Sequence, residues 1–71
     1  MRKRGNFMRV NGKDRPCEAE MTVQSLLLEL GHDPQRVAVE KNGQIVPRAR
    51  FADEPLCDTD TLEIVQFVGG G

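Results

Sequence analysis

Hydrophobic and polar positions alternate with period two along several short stretches of this chain, and with a period near 3.6 along one. In residues 7–10, Met8 and Val10 share one face and Phe7 and Arg9 the other, the signature of a half-buried strand. Asn11-Gly12 follows, a pair suited to a type I′ turn because both central positions need φ > 0. The return strand is predicted over residues 13–20, where Cys17, Ala19 and Met21 alternate with Pro16, Glu18 and Glu20. Pro16 has no N–H for a ladder, which assigns this strand to a sheet edge. The period then changes. Val23, Leu26, Leu27 and Leu30 stand at i, i+3, i+4 and i+7, one buried stripe of a helix over residues 23–30, with Gln24 and Glu29 on the wet side. Thr22 is the expected N-cap, and Met21 and Leu26 occupy the N′ and N4 positions of a hydrophobic staple. Gly31 suits C′, and Pro34 prevents resumption. A helix this short is unstable alone and must pack on a sheet.

Strand patterning returns at residues 37–41. Asn42-Gly43 repeats the hairpin signal, and residues 44–46 pair back until Pro47 stops them. Residues 48–54 are polar apart from Phe51, so a helical turn or irregular loop with Phe51 anchored in the core is expected. Asp58-Thr59-Asp60 reads as a turn cluster. The last and most apolar strand is predicted over residues 61–68. The order β-β-α-β-β-loop-β predicts an α+β domain: a mixed sheet of about five strands on one main helix.

Composition narrows the function classes. Seventy-one residues make one domain with a single small core. No apolar run approaches the roughly 18 residues of a membrane span, and the basic start Arg2-Lys3-Arg4 is not followed by the apolar region of a secretion signal. Residues 1–6 are expected to be a flexible leader, residues 7–68 the folded domain and residues 69–71 a flexible tail. The net charge of −1 argues against a dedicated nucleic-acid binder. Cys17 and Cys57 have no metal-ligand spacing with His32, and in a cytoplasmic protein they are expected to be reduced. Enzyme templates fail: there is no Ser/His/Asp set and no phosphate loop, and neither thiol has an activating neighbour. No metal site is expected, since Asp58 and Asp60 alone fall far short of a calcium loop.

The last strand carries the functional signal. Leu62 and Ile64 point to the core, while Val65 and Phe67 point the other way. With a helix on one sheet face only, these two form an exposed apolar pair, a docking patch; the alternative is that Phe7 or the 48–57 loop covers them. Beyond them Val68 leads into Gly69-Gly70-Gly71. A glycine arm reaches at most about 10 Å and fits a channel too narrow for side chains, so it suits delivery of a terminal carboxylate into a partner's active site.

These residues resemble a known family. The element order is similar to the β-grasp, or ubiquitin-like, fold. The sequence from Leu62 to Gly71 resembles the ending of the sulfur carriers of thiamine biosynthesis, the ThiS family. Asn11-Gly12-Lys13, Thr22-Val23, Val39-Glu40-Lys41-Asn42, Ile45-Val46-Pro47-Arg48 and Leu56-Cys57-Asp58 agree with it; the leader does not. The resemblance implies a carrier rather than a catalyst. A ThiF-type adenylating enzyme, using ATP and magnesium, would adenylate the Gly71 carboxylate. Sulfur from a cysteine desulfurase pathway would convert it to a thiocarboxylate, and thiazole synthase (ThiG) would take that sulfur for the thiamine thiazole. Gly69 and Gly70 would provide channel fit, and Val65, Phe67 and Val68 partner docking. No bound cofactor, nucleic acid or membrane is implied. Molybdopterin, cysteine or tRNA as the sulfur acceptor, protein modification through the tail, and a binding module working through the basic leader remain as alternatives.

Overall fold

The computed structural model describes residues 7–67. Five strands, β1 (Phe7–Val10), β2 (Lys13–Pro16), β3 (Val37–Lys41), β4 (Gln44–Ile45) and β5 (Thr61–Gln66), form one mixed sheet in the order β2-β1-β5-β3-β4. The central contact, β1 with β5, is parallel, with Val10 opposite Leu62; the other pairs are antiparallel. Helix α1 (Val23–Glu29) supplies the crossover and covers one sheet face. This is the expected α+β, β-grasp architecture.

Both hairpin turns are those the Asn-Gly pairs demand. Asn11 and Gly12 have φ of 52° and 82°, and Asn42 and Gly43 have 54° and 86°. Thr22 caps α1, accepting from the Ser25 N–H, and the Ser25 hydroxyl accepts in turn from the Thr22 N–H, a reciprocal capping box. Gly31, at φ 83°, follows the last turn. Val23, Leu26 and Leu27 are fully buried; Leu30, the C-cap, packs at the core's margin, and Leu28 is exposed. With them the core holds Met8, Val10, Met21, Val37, Val39, Val46, Phe51, Leu56, Leu62 and Ile64.

Three strand boundaries differ from expectation, and α1 stops one residue early, with Leu30 as its cap. The return strand ends at Pro16 rather than running to residue 20. After Pro16 the chain turns, the Met21 N–H donating to the Glu18 carbonyl while Glu20 takes φ 64°. The next residues then pair elsewhere: Leu56 N–H donates to Met21 C=O, and Val23 N–H to Glu54 C=O. The alternation through Cys17, Ala19 and Met21 is therefore a turn that drops Met21 into the core. β4 is two residues long, although the Val46 N–H still reaches the Val39 carbonyl at 2.8 Å. β5 ends at Gln66, with Phe67 N–H donating to Arg36 C=O; Val68 lies outside the described residues. The 48–54 segment begins with a 3₁₀ turn, Arg48–Arg50, and Phe51 is its buried anchor, as expected.

Candidate functional site

β5 positions the candidate docking residues because it is the central strand. Its even-numbered side chains, Leu62 and Ile64, enter the core, which fixes Glu63 and Val65 on the opposite face. Val65 is 59% and Phe67 51% exposed, so the candidate docking pair faces solvent. Phe7 does not reach it, and the 48–57 segment touches only its margin, where Arg48 and Phe51 share a groove with Phe67. Phe7 stands on the outer face, but the parallel register places it at the far end of β5 from Val65, opposite residue 59. The 48–57 segment packs on the helix side, where Gln24 N–H donates to Phe51 C=O and Val23 N–H to Glu54 C=O.

Where β3 meets β5 the outer face has an apolar and an acidic part, with Phe7 and Arg9 of β1 beyond them. Ala38 lies opposite Val65, and Ile45, 64% exposed, stands on β4. Ile45, Pro47, Arg48 and Phe67 help line a shallow groove of about 230 Å³ along the β3 edge. Next to this apolar part, Glu40 lies directly opposite Glu63, both exposed. Neither carboxylate has a cation within ion-pair distance among the described residues. Gly69, Gly70 and Gly71, the expected tail and modification residues, lie outside the described residues, as does Val68. The structure therefore places two of the six expected site residues, Val65 and Phe67, both exposed at the end of the described chain.

Asp60 is a residue whose role sequence reasoning missed. It was expected only to form a turn, and it does accept from the Cys57 N–H at 2.9 Å. It is also the one buried polar side chain among the described residues, 5% exposed, and it accepts from the Asn42 amide at 2.9 Å with the Lys41 ammonium 3.8 Å away. Burial pushes its carboxyl up, but these hydrogen bonds and the Lys41 charge outweigh burial and hold it below the usual value. Lys41 is raised, chiefly by its 2.8 Å hydrogen bond to Glu54. The lowering of Glu54 has the same principal cause. The cluster ties the β3–β4 hairpin to the start of β5.

The thiols offer no chemistry of this kind. Cys17 is half-buried against the core, and its thiol is pushed up by burial and then by Cys57 and the surrounding carboxylates. Cys57 lies on the surface and shares a hydrogen bond with Thr59. Both cysteines are free, and no group of three or more metal-ligating side chains occurs among the described residues. No helix among them is long and apolar enough to cross a membrane.

Comparisons with known proteins agree with this architecture. The chain is 52% identical over 62 residues, 87% of its length, to a thiazole synthase from Paramagnetospirillum magneticum, of which that stretch is 19%. It thus spans about a fifth of the thiazole synthases it matches. It is 40% identical to the sulfur carrier protein ThiS of Bacillus subtilis over 66 residues, 92% of this chain and 100% of that protein. The solved structure of the thiamine biosynthesis protein ThiS from Geobacter metallireducens superimposes with a TM-score of 0.75 at 32% identity, covering 92% of this chain and 99% of that one. The ThiS family model matches residues 8–71, and with these relatives it establishes that the chain belongs to the ThiS family.

Proposed function

We propose that this chain is a sulfur carrier for thiamine thiazole synthesis, a co-substrate and not a catalyst. In this reading it works in the cytoplasm with a ThiF-type adenylating enzyme, a cysteine desulfurase pathway and the thiazole synthase ThiG. A free carboxylate is a poor electrophile. Attack of the Gly71 carboxylate on ATP, with magnesium held by the partner, releases pyrophosphate and leaves an acyl adenylate. A persulfide from the desulfurase pathway then displaces AMP to give an acyl disulfide, and a thiol reductant cleaves its S–S bond, leaving the thiocarboxylate, whose sulfur passes to the thiazole. Gly69 and Gly70 let the arm enter a narrow channel, while Val65, Phe67 and Val68 dock the body. The observation that carries this reading is the exposure of Val65 on β5 and of Phe67 just beyond it, two residues before the first of the three glycines in the sequence. The names of the relatives, sulfur carriers and thiazole synthases, support the choice of acceptor.

The test is to incubate the carrier with the adenylating enzyme, ATP and magnesium and to follow its intact mass. Wild type is expected to gain one AMP and, with a sulfur donor, to exchange one oxygen for sulfur at Gly71. Gly70→Leu is expected to fold normally and remain unmodified. Phe67→Ala is expected to raise the KM for the carrier about tenfold, the equivalent of roughly 1.4 kcal/mol of lost aromatic burial. A folded wild-type carrier that forms no adenylate would reject the proposal.

A further inference from the structure

The two sides of β5 are not equally occupied. Backbone groups of a strand project alternately to its two neighbours. On the β1 side, Asp60 C=O accepts from Arg9 N–H at 3.1 Å and Leu62 C=O from Asn11 N–H at 2.9 Å. On the β3 side, Thr61 C=O accepts from Asn42 N–H and Phe67 N–H donates to Arg36 C=O, both at 2.8 Å. Even-numbered residues of β5 therefore pair toward β1 and odd-numbered ones toward β3. β1 turns away at Asn11–Gly12, and there the Asn11 side chain replaces the missing strand. Its Oδ1 accepts from Ile64 N–H at 2.7 Å and its Nδ2 donates to Ile64 C=O at 3.2 Å, the two bonds a neighbouring backbone would make.

The next even residue is Gln66. Its N–H and C=O project to the β1 side one rung beyond the Asn11 amide, and among the described residues no hydrogen bond to them is seen. The opposite margin of the sheet is treated differently. Where β4 stops short, Arg48 donates to the carbonyls of Val37 and Pro34, each at 3.0 Å, and so covers the exposed edge of β3. The outer strand β2 carries Pro16 and three charged residues, features that discourage pairing. At Gln66, by contrast, one side of the strand is held by β3 through Val65 and Phe67, and the other side is open immediately before the tail.

We propose that this open edge is a strand-addition site, on which the adenylating enzyme lays an extended segment whose backbone bonds to Gln66. This rests on the carrier reading above and specifies how the partner grips the chain. An N–H and a C=O from one residue, presented side by side, are matched by another extended backbone. A partner that must hold a stretch of glycines has no side chains to read there, so main-chain pairing beginning at Gln66 supplies the grip.

The experiment measures amide exchange by NMR on ¹⁵N-labelled full-length carrier, free and bound to the adenylating enzyme without ATP. Val65 and Phe67 amides are expected to exchange slowly in both states. The Gln66 amide is expected to exchange fast in the free carrier and at least about tenfold more slowly in the complex, the effect of one hydrogen bond. Gln66→Pro removes that N–H on the free side of the strand, where proline is tolerated. It is expected to fold and to lose about tenfold in kcat/KM for adenylation, through KM. A Gln66 amide unchanged by complex formation would overturn the proposal, as would full activity of a folded Gln66→Pro. If that variant does not fold, the exchange result decides. Protection of Gln66 in the free carrier that disappears on dilution would assign the edge to a second copy of this chain and also overturn it. A wild type that neither binds the enzyme nor is adenylated would fail the carrier reading itself, an outcome separate from all of these.

Discussion

The side-chain amides of Asn11 and Asn42 reach from two different hairpin turns to the same strand. Asn11 bonds both backbone groups of Ile64; Asn42 accepts from Thr61 N–H at 2.9 Å and donates to Asp60. Each asparagine thus makes its turn with φ > 0 and also clamps β5 in register. A glycine serves the turn equally well but lacks the amide, so Asn11→Gly separates the two roles. We expect it to keep the fold and lose about 1–2 kcal/mol, the net worth of two partly buried hydrogen bonds, read as a lower urea midpoint at unchanged slope. An unchanged midpoint would mean that water replaces the amide at no cost. The turn role was legible in the sequence because it depends on two adjacent residues. The clamp was not, because Asn11 and Ile64 are distant along the chain and meet only once the parallel register of β1 and β5 is set.

Among the elements, the β3–β4 hairpin and the loop before β5 are joined by charge. Lys41 sits between Glu54 and Asp60, and the Asp60 carboxyl is held below its ordinary value. A carboxyl with a folded pKa below its unfolded pKa stabilises the fold above the unfolded value, and that stability is lost as pH falls through the folded value. Wild type is therefore expected to lose stability as pH drops below about 4. Asp60→Asn is expected to be less stable at neutral pH, because an amide brings no charge to Lys41 and at most one acceptor to the two donors. The gap between the two proteins closes in acid, and thermal midpoints across a pH series read it directly; a constant gap would remove the carboxylate from the account. The five strands and α1 were legible, because the 3.6-residue stripe, both Asn-Gly turns and the N-cap are local; the 3₁₀ turn Pro34–Arg36 was not, since Pro34 reads only as a stop to α1. The false extension of β2 arose because the turn through Glu20 leaves the same alternation of apolar and polar residues as a strand.

At the scale of the whole molecule, one sheet face is closed by α1 and the other is left open, and where β3 meets β5 that open face is apolar at Ala38 and Val65 and acidic at Glu40 and Glu63. Like charges directly opposite on neighbouring strands are unfavourable by roughly 0.2–1 kcal/mol, and Glu40 and Glu63 stand in that relation. Glu63→Gln is expected to stabilise the free carrier slightly while slowing its association with the adenylating enzyme. The same change should flatten the dependence of the association rate on salt, since steering by exposed charge is screened. Faster association, or an unchanged salt slope, would separate the acidic part from the docking face. The exposure of Val65 and Phe67 followed from the period-two pattern and a single helix. The acidic pair did not, because Glu40 and Glu63 become neighbours only through the pairing of β3 with β5.

The position of β5 has a further consequence during synthesis. It comes last in the chain among the five strands, yet it lies between β1 and β3 and holds both halves of the sheet together. A ribosome-bound or truncated chain lacking this strand has two separate hairpins and a helix with nothing continuous to cover. Folding must wait for the non-local β1–β5 pairing, the slow kind of contact. The strand that completes the core also carries Val65, so a chain ended before it forms neither the core nor the exposed face proposed for docking.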